Sequence, residues 1–250
     1  MKYSLNWGLT TSGYPAGNLA QAAVDADQYD IRFLEPQASR EDPALLLKLA
    51  RVGRIRVLGT DFGLAVTDAA EREKLDAAAS LADRAGVPYL RTVAGFDPGT
   101  ELTEDLADRF WSNMEWFDSL DHGCRLAVET LDGMSSARCC AEIFSALGLQ
   151  LPVIWNAHHT WRVAGESPEL SFELLNENVV AVHFMDSTSD STGERITAEN
   201  PGKGDVPLQE IFSLLEKAGA DYPVCLDQNR TRYSCPADMD EALRTWKHLF

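Results

Sequence analysis

Short apolar runs alternate along the chain with longer segments in which apolar residues recur every three or four positions. The runs are YSLNW (3–7), IRFLE (31–35), IRVLG (55–59), PYLRTV (88–93), RLAVE (125–129), LPVIWN (151–156), VVAVHF (179–184) and PVCLD (223–227). Their length predicts strands. The segments between them, among them DPALLLKLARVG, AEREKLDAAASLADRAG, TEDLADRFWSNMEWFDSLDHG and LQEIFSLLEKAG, carry the period of amphipathic helices. Asp42-Pro43 and Ser167-Pro168 fit a helix N-cap followed by proline in the first turn. Gly53, Gly86, Gly123, Gly148 and Gly219 each follow a helical pattern and precede a strand, the place where a left-handed C-cap favours glycine.

Strands alternating with helices imply parallel pairing, because a helix is the usual crossover that returns the chain to the same end of a sheet. Eight such units in 250 residues predict an α/β protein, a single (β/α)₈ TIM barrel spanning residues 1–250. The competing architecture, a doubly wound open sheet, lacks its usual phosphate-binding signatures. No GxGxxG follows the first strand and no GxxxxGK[ST] occurs.

Composition narrows the function classes. A hydrophobic content of 45% with 24% charged residues is that of a globular chain. No apolar stretch approaches the roughly 18 residues of a spanning helix, and MKYSLNWGLTTSG lacks the apolar region of a secretory signal. A cytoplasmic protein without a membrane partner is the expectation. The formal charge of −17 opposes binding to nucleic acid, which relies on clustered lysine and arginine. Five cysteines (Cys124, Cys139, Cys140, Cys225 and Cys235) without CxxC or zinc-finger spacing read as reduced, mostly buried thiols.

In a barrel of this kind the C-terminal strand ends converge on one bowl. Strand five ends in Glu129, strand six in Asn156 followed by His158 and His159, strand seven in His183 followed by Asp186, and strand eight in Asp227. A carboxylate, an amide, an imidazole and a carboxylate on neighbouring strands are a set able to hold Mn²⁺, Mg²⁺ or Co²⁺. The same residues also fit an ordinary polar rim.

The segments RLAVETLDG, VIWNAHHTWRVAGESPE, VVAVHFMDS and GKGDVPLQEIFSLLEKAGADYPVCLD resemble, in order, those of the sugar phosphate isomerase/epimerase proteins of the xylose isomerase-like TIM-barrel superfamily. The resemblance covers nearly the whole chain and is strongest in its second half. It implies a divalent metal on Glu129, Asn156, His183 and Asp227, with two departures: Asn156 stands where the family has aspartate and Asp227 where it has glutamate. It also implies substrate contacts from Arg91 and His159. The superfamily's zinc-dependent DNA-repair nucleases need more histidines than the five here and a basic surface.

Taken with the strand ends, the resemblance implies an isomerase or epimerase of a ketose or sugar phosphate, moving a proton through an enediolate with Glu129 and Asp227 as the catalytic carboxylates. Trp7, Trp155 and Trp161 offer apolar faces for sugar C–H groups, and Lys203 in GKGD is a candidate for a phosphate, or simply an exposed loop lysine. Two other readings stay open. One is a metal-free barrel that binds a sugar or a partner; the other is a lyase or dehydratase acting on a related polyol. A homo-oligomer is compatible with the sequence.

Overall fold

The computed structural model describes residues 3–14, 18–193, 195–229, 232–233 and 239–249. Among them, ten strands follow in chain order: β1 (Asn6–Thr10), β2 (Phe33–Glu35), β3 (Val57–Gly63), β4 (Tyr89–Val93), β5 (Arg125–Glu129), β6 (Val153–Asn156), β7 (Val179–Phe184), β8 (Asp186–Ser189), β9 (Ile196–Glu199) and β10 (Pro223–Leu226). The eight helices are α1 (Leu19–Gln28), α2 (Pro43–Arg51), α3 (Ala69–Ala85), α4 (Glu104–Asp118), α5 (Ala137–Leu147), α6 (Pro168–Leu175), α7 (Leu208–Lys217) and α8 (Met239–Leu249).

Eight strands pair in parallel in the order β2-β1-β10-β7-β6-β5-β4-β3. Parallel bridges Leu34↔Ile55 and Gln37↔Gly59 join β2 to the β3 edge and close the cylinder. The protein is an α/β TIM barrel. Strands β8 and β9 form a separate antiparallel hairpin after β7, which the pattern of apolar runs does not reveal because DSTS and ITAE alternate small and polar residues.

Side chains alternate between two cores. Outward-facing residues pack against the helices in one large cluster. Inside the barrel, Val57, Ala127, Ile154 and Ala181 form a small apolar plug. Two residues further along their strands, Glu129, Asn156 and His183 lie on the same face one layer higher, so the period of the strand lifts polar groups off an apolar floor.

The expected caps are present for α2 and α6, where Asp42 and Ser167 accept backbone N–H bonds ahead of Pro43 and Pro168. Gly86 and Gly148 close α3 and α5 in the left-handed conformation, and Gly53 and Gly219 also have positive φ. Gly123 does not; α4 ends earlier, at Ser119. The described cysteines are free, and burial pushes the Cys124 thiol up to about 12. Cys235 lies outside the described residues.

One histidine serves the scaffold. His122 lies between Asp83 (Nδ1, 2.8 Å) and Asp76 (Nε2, 2.9 Å), tying the loop before β5 to α3. Burial opposes its protonated form, but hydrogen bonds and charge from the two aspartates outweigh that and raise its pKa. A raised folded-state pKa gives stability that is complete below the unfolded value of about 6.5 and is lost as pH rises through the folded value. His122→Asn should flatten that segment of the stability curve. Equal slopes for the two proteins in urea titrations across it would remove His122 as the cause.

Candidate functional site

At the C-terminal mouth, four ionisable side chains from four strands form a closed ring. Arg91 on β4 donates from Nε to Glu35 Oε1 at 2.7 Å and from Nη1 to Glu129 Oε2 at 2.9 Å. His183 on β7 completes the circuit, with Nδ1 3.0 Å from Glu129 Oε1 and Nε2 2.8 Å from Glu35 Oε2. The third arm of the guanidinium, Nη2, donates to Gln37 Oε1 at 2.9 Å. Gly59 makes room for this arm, since a Cβ there would stand 2.8 Å from Nη2.

Electrostatics follow from this wiring. Burial opposes ionisation of Glu129, but Arg91 and then His183 overcome it and hold its carboxyl well below the usual range. Glu35 is likewise lowered, His183 and Arg91 outweighing burial. The His183 imidazole is raised far above its ordinary value by the two glutamates, against the effect of burial. The ring is therefore two carboxylates balanced by a guanidinium and an imidazolium.

Asn156 turns its amide into this ring. Nδ2 donates to Glu129 Oε1 at 2.7 Å, while Oδ1 accepts the backbone N–H of His159 at 3.1 Å and starts the following turn. That turn, His159–Val163, is a π-helix, a local departure from α-helical winding often found at functional sites. His159 and His158 are both buried beside the ring. Burial lowers both imidazoles, that of His159 to about 4. Tyr233 meets His159 Nε2 at 3.0 Å, and His158 Nδ1 has no hydrogen-bond partner among the described residues.

Asp227, one residue past β10, is half-buried. Its Oδ1 accepts from Thr10 Oγ1 at 2.7 Å and from Ser12 Oγ. One ligand atom each from Glu129, His183 and Asp227 lie within 4.8 Å of one another, an arrangement able to hold a metal ion. A niche of about 30 Å³ above them opens into a cleft of about 400 Å³, the two sharing Ser12, Arg91, Leu131 and Asn229.

A model of the xylose isomerase-like TIM barrel family matches residues 22–249. The chain belongs to that family. No curated protein matches it by sequence. Solved structures that share the xylose isomerase-like fold include the IolI protein with a bound zinc atom (15% identity, TM-score 0.75, covering 98% of this chain and 96% of that one). Another is the probable 3-DHS dehydratase AsbF of Bacillus anthracis (15%, TM-score 0.79, 98% of each chain). A third is D-psicose 3-epimerase of Clostridium cellulolyticum with D-tagatose (12%, TM-score 0.72, 98% and 96%). At these identities the likeness is one of fold.

The strand-end rule brings Glu129, Asn156, His183 and Asp227 to one niche, with Arg91 and His159 beside them. Arg91, expected at the substrate, lines both the niche and the cleft and is bound into the ring, where it neutralises Glu35 and Glu129. The tryptophans are a correction. Trp7 and Trp155 are fully covered on the outer face of the sheet, Trp7 against Phe184, Phe212 and Trp246 and Trp155 against Phe172 with its Nε1 on Thr160. Each neighbours an inward residue on its strand, and alternation turns it toward the helices.

For Trp7 the reason is register. The run YSLNW suggests that β1 ends there, whereas the strand continues to Thr10. Trp161 and Lys203 line neither the niche nor the cleft. Five further residues take part that the sequence pattern does not single out: Glu35, Gln37, Thr10, Ser12 and Tyr233. Glu35 ends IRFLE just as Glu129 ends RLAVE, so the strand-end rule applied to strand two identifies it.

Proposed function

We propose that this protein is an isomerase or epimerase acting on a carbohydrate with a carbonyl group, assisted by a divalent cation. The observation that carries the reading is the convergence of Glu129, His183 and Asp227 in one niche opening into a polar cleft. The donor set fits a cation at three positions once His183 gives up the Nδ1 proton it now directs at Glu129, the cation taking that proton's place between the two side chains. Glu35 on the far nitrogen of His183 is the partner that fixes the orientation of a metal-binding imidazole. Asn156 does not supply a fourth, because its oxygen is held by His159 N–H and its amine faces Glu129.

Bound there, Mn²⁺, Mg²⁺ or Co²⁺ would supply Lewis acidity toward a carbonyl oxygen. The residues divide the remaining work. Glu129, already accepting from Arg91, Asn156 and His183, is a weak base and an anchor of charge. Asp227 has one oxygen held by the Thr10 and Ser12 hydroxyls, and its other oxygen is the group suited to take the proton from a carbon next to the carbonyl. Returning that proton to the neighbouring carbon, with the hydroxyl proton passing to the former carbonyl oxygen, gives an isomer; a solvent proton delivered to the opposite face of the original carbon gives an epimer.

One observation favours a second reading, a carbohydrate-binding barrel without a tightly held metal: the ring already balances Glu129 internally, and Asn156 presents hydrogens rather than an oxygen to it. A single experiment separates the two. Protein reconstituted with Mn²⁺ should retain about one equivalent by elemental analysis and should incorporate solvent deuterium into a ketose in D₂O. Asn156→Asp should tighten Mn²⁺ binding yet lower the melting temperature of the metal-free protein, because two carboxylates then meet where a carboxylate and an amine now do. Absence of both metal and deuterium, with a thermal shift from sugars, would leave the binding reading standing. Product analysis distinguishes a lyase by loss of water.

A further inference from the structure

The cleft outside the niche bears guanidinium groups that the proton-transfer reading does not use. Three arginines line it, Arg40, Arg91 and Arg232, against three acids, Glu35, Asp61 and Asp132. In a chain of 39 acidic and 22 basic residues with a net charge of −17, such local balance makes the cleft the less repulsive destination for an anion.

The arginines differ in how far they are committed. Arg91 is spent on the ring. Arg40 is about half exposed, and its nearest carboxylate, Asp61, is 4.0 Å away, beyond hydrogen-bond length. Arg232 places Nη2 on Asp132 at 2.6 Å. Asp132 holds that contact from a left-handed backbone, φ 51°, which costs energy for a residue with a Cβ and sets its carboxylate against the arginine. Arg232 is thereby aimed from the loop after β10 across to the loop after β5; Tyr233 takes part of its fork as well as Asp132, and the remaining donors of the five are left for a ligand.

A neutral sugar would be served by the hydroxyls of Thr10, Thr11 and Ser12 and the amide of Asn229 on the same wall. Guanidinium donors form their stronger, charge-assisted bonds with carboxylate or phosphate oxygens. We propose that the substrate carries an anionic oxygen group, a carboxylate or a phosphate, at the end remote from the reacting carbon, and that Arg40 and Arg232 bind it. This rests on reading the Glu129, His183 and Asp227 niche as the reacting end. The cleft and the niche share Arg91 and Ser12, so a molecule with its carbonyl in the niche extends toward these two arginines.

The test is calorimetric titration of Mn²⁺-reconstituted protein with D-fructose, D-fructose 6-phosphate and D-fructuronate at low and high salt. An anionic ligand should bind at least about tenfold more tightly than fructose, with the advantage shrinking as salt screens it. Arg40→Gln and Arg232→Gln should each remove several-fold of that advantage and leave fructose binding unchanged, and Arg232→Lys should restore part of it. Both arginines are exposed or half-exposed, so the fold does not depend on them. The tighter anion of the pair tells carboxylate from phosphate.

Equal binding of all three ligands, binding of none, or anion binding indifferent to both substitutions would overturn the proposal. Deuterium exchange into fructose without any anionic preference would overturn this inference and keep the isomerase reading. Anionic preference without exchange on any of the three would do the opposite.

Discussion

Asp227→Asn is expected to slow exchange of the substrate's carbon-bound proton by about 10²–10⁴-fold, the usual worth of a positioned general base, with little change in stability. The asymmetry follows from its surroundings. Thr10 and Ser12 donate to Oδ1 of Asp227, and an amide oxygen accepts the same two bonds, so the rim between β1 and β10 stays in place. An amide nitrogen cannot take up a proton from carbon at neutral pH. Deuterium incorporation followed by NMR, beside an unfolding curve, measures both quantities. Exchange within about twofold of the unsubstituted protein would take Asp227 out of the chemistry and leave it a rim ligand. Glu129→Gln differs because it also withdraws a charge from Arg91 and His183; it should reduce turnover and stability together.

Arg91→Met should cost about 3–5 kcal/mol of folding free energy, the range for breaking a buried ion pair from one side. The reason lies in the number of groups it leaves behind. Glu35 and Glu129 are both buried, and with the guanidinium gone only the His183 imidazolium balances two carboxylates in a site shielded from water. Gln37 also loses its donor. Arg91→Lys keeps the charge but a single ammonium cannot span Glu35, Gln37 and Glu129 in the guanidinium plane, so it should fall between the two. Urea denaturation midpoints at constant m-value give the comparison. A loss below about 1 kcal/mol, the worth of an exposed pair, would mean that water reaches the ring and screens it.

The fold is legible in the sequence because its periodicities are strong: eight apolar runs, helical segments between them, and proline and glycine at the boundaries. The site is partly legible for the same reason, since strand ends must meet at one mouth of a closed barrel. Register and pairing are what the sequence does not supply. Extending β1 by three residues moves its end from Trp7 to Thr10 and exchanges an expected indole for a hydroxyl that holds Asp227. Arg91 is visible as an inward residue, but its pairing with Glu35, 56 positions away in sequence, depends on side-chain reach. The hairpin of β8 and β9 leaves no apolar signature because its order comes from a buried carboxylate, Asp186, accepting the backbone N–H groups of Gly202, Gly204 and Val206.

The outward placement of Trp7 and Trp155 carries a practical consequence for spectroscopy. None of the six indoles, including Trp111, Trp116, Trp161 and Trp246, lines the niche or the cleft. Their emission therefore reports the helical shell and its melting, and filling the bowl should leave it nearly silent under indole-selective excitation. Tyr233, packed against both histidines at the niche, is the native chromophore placed to respond.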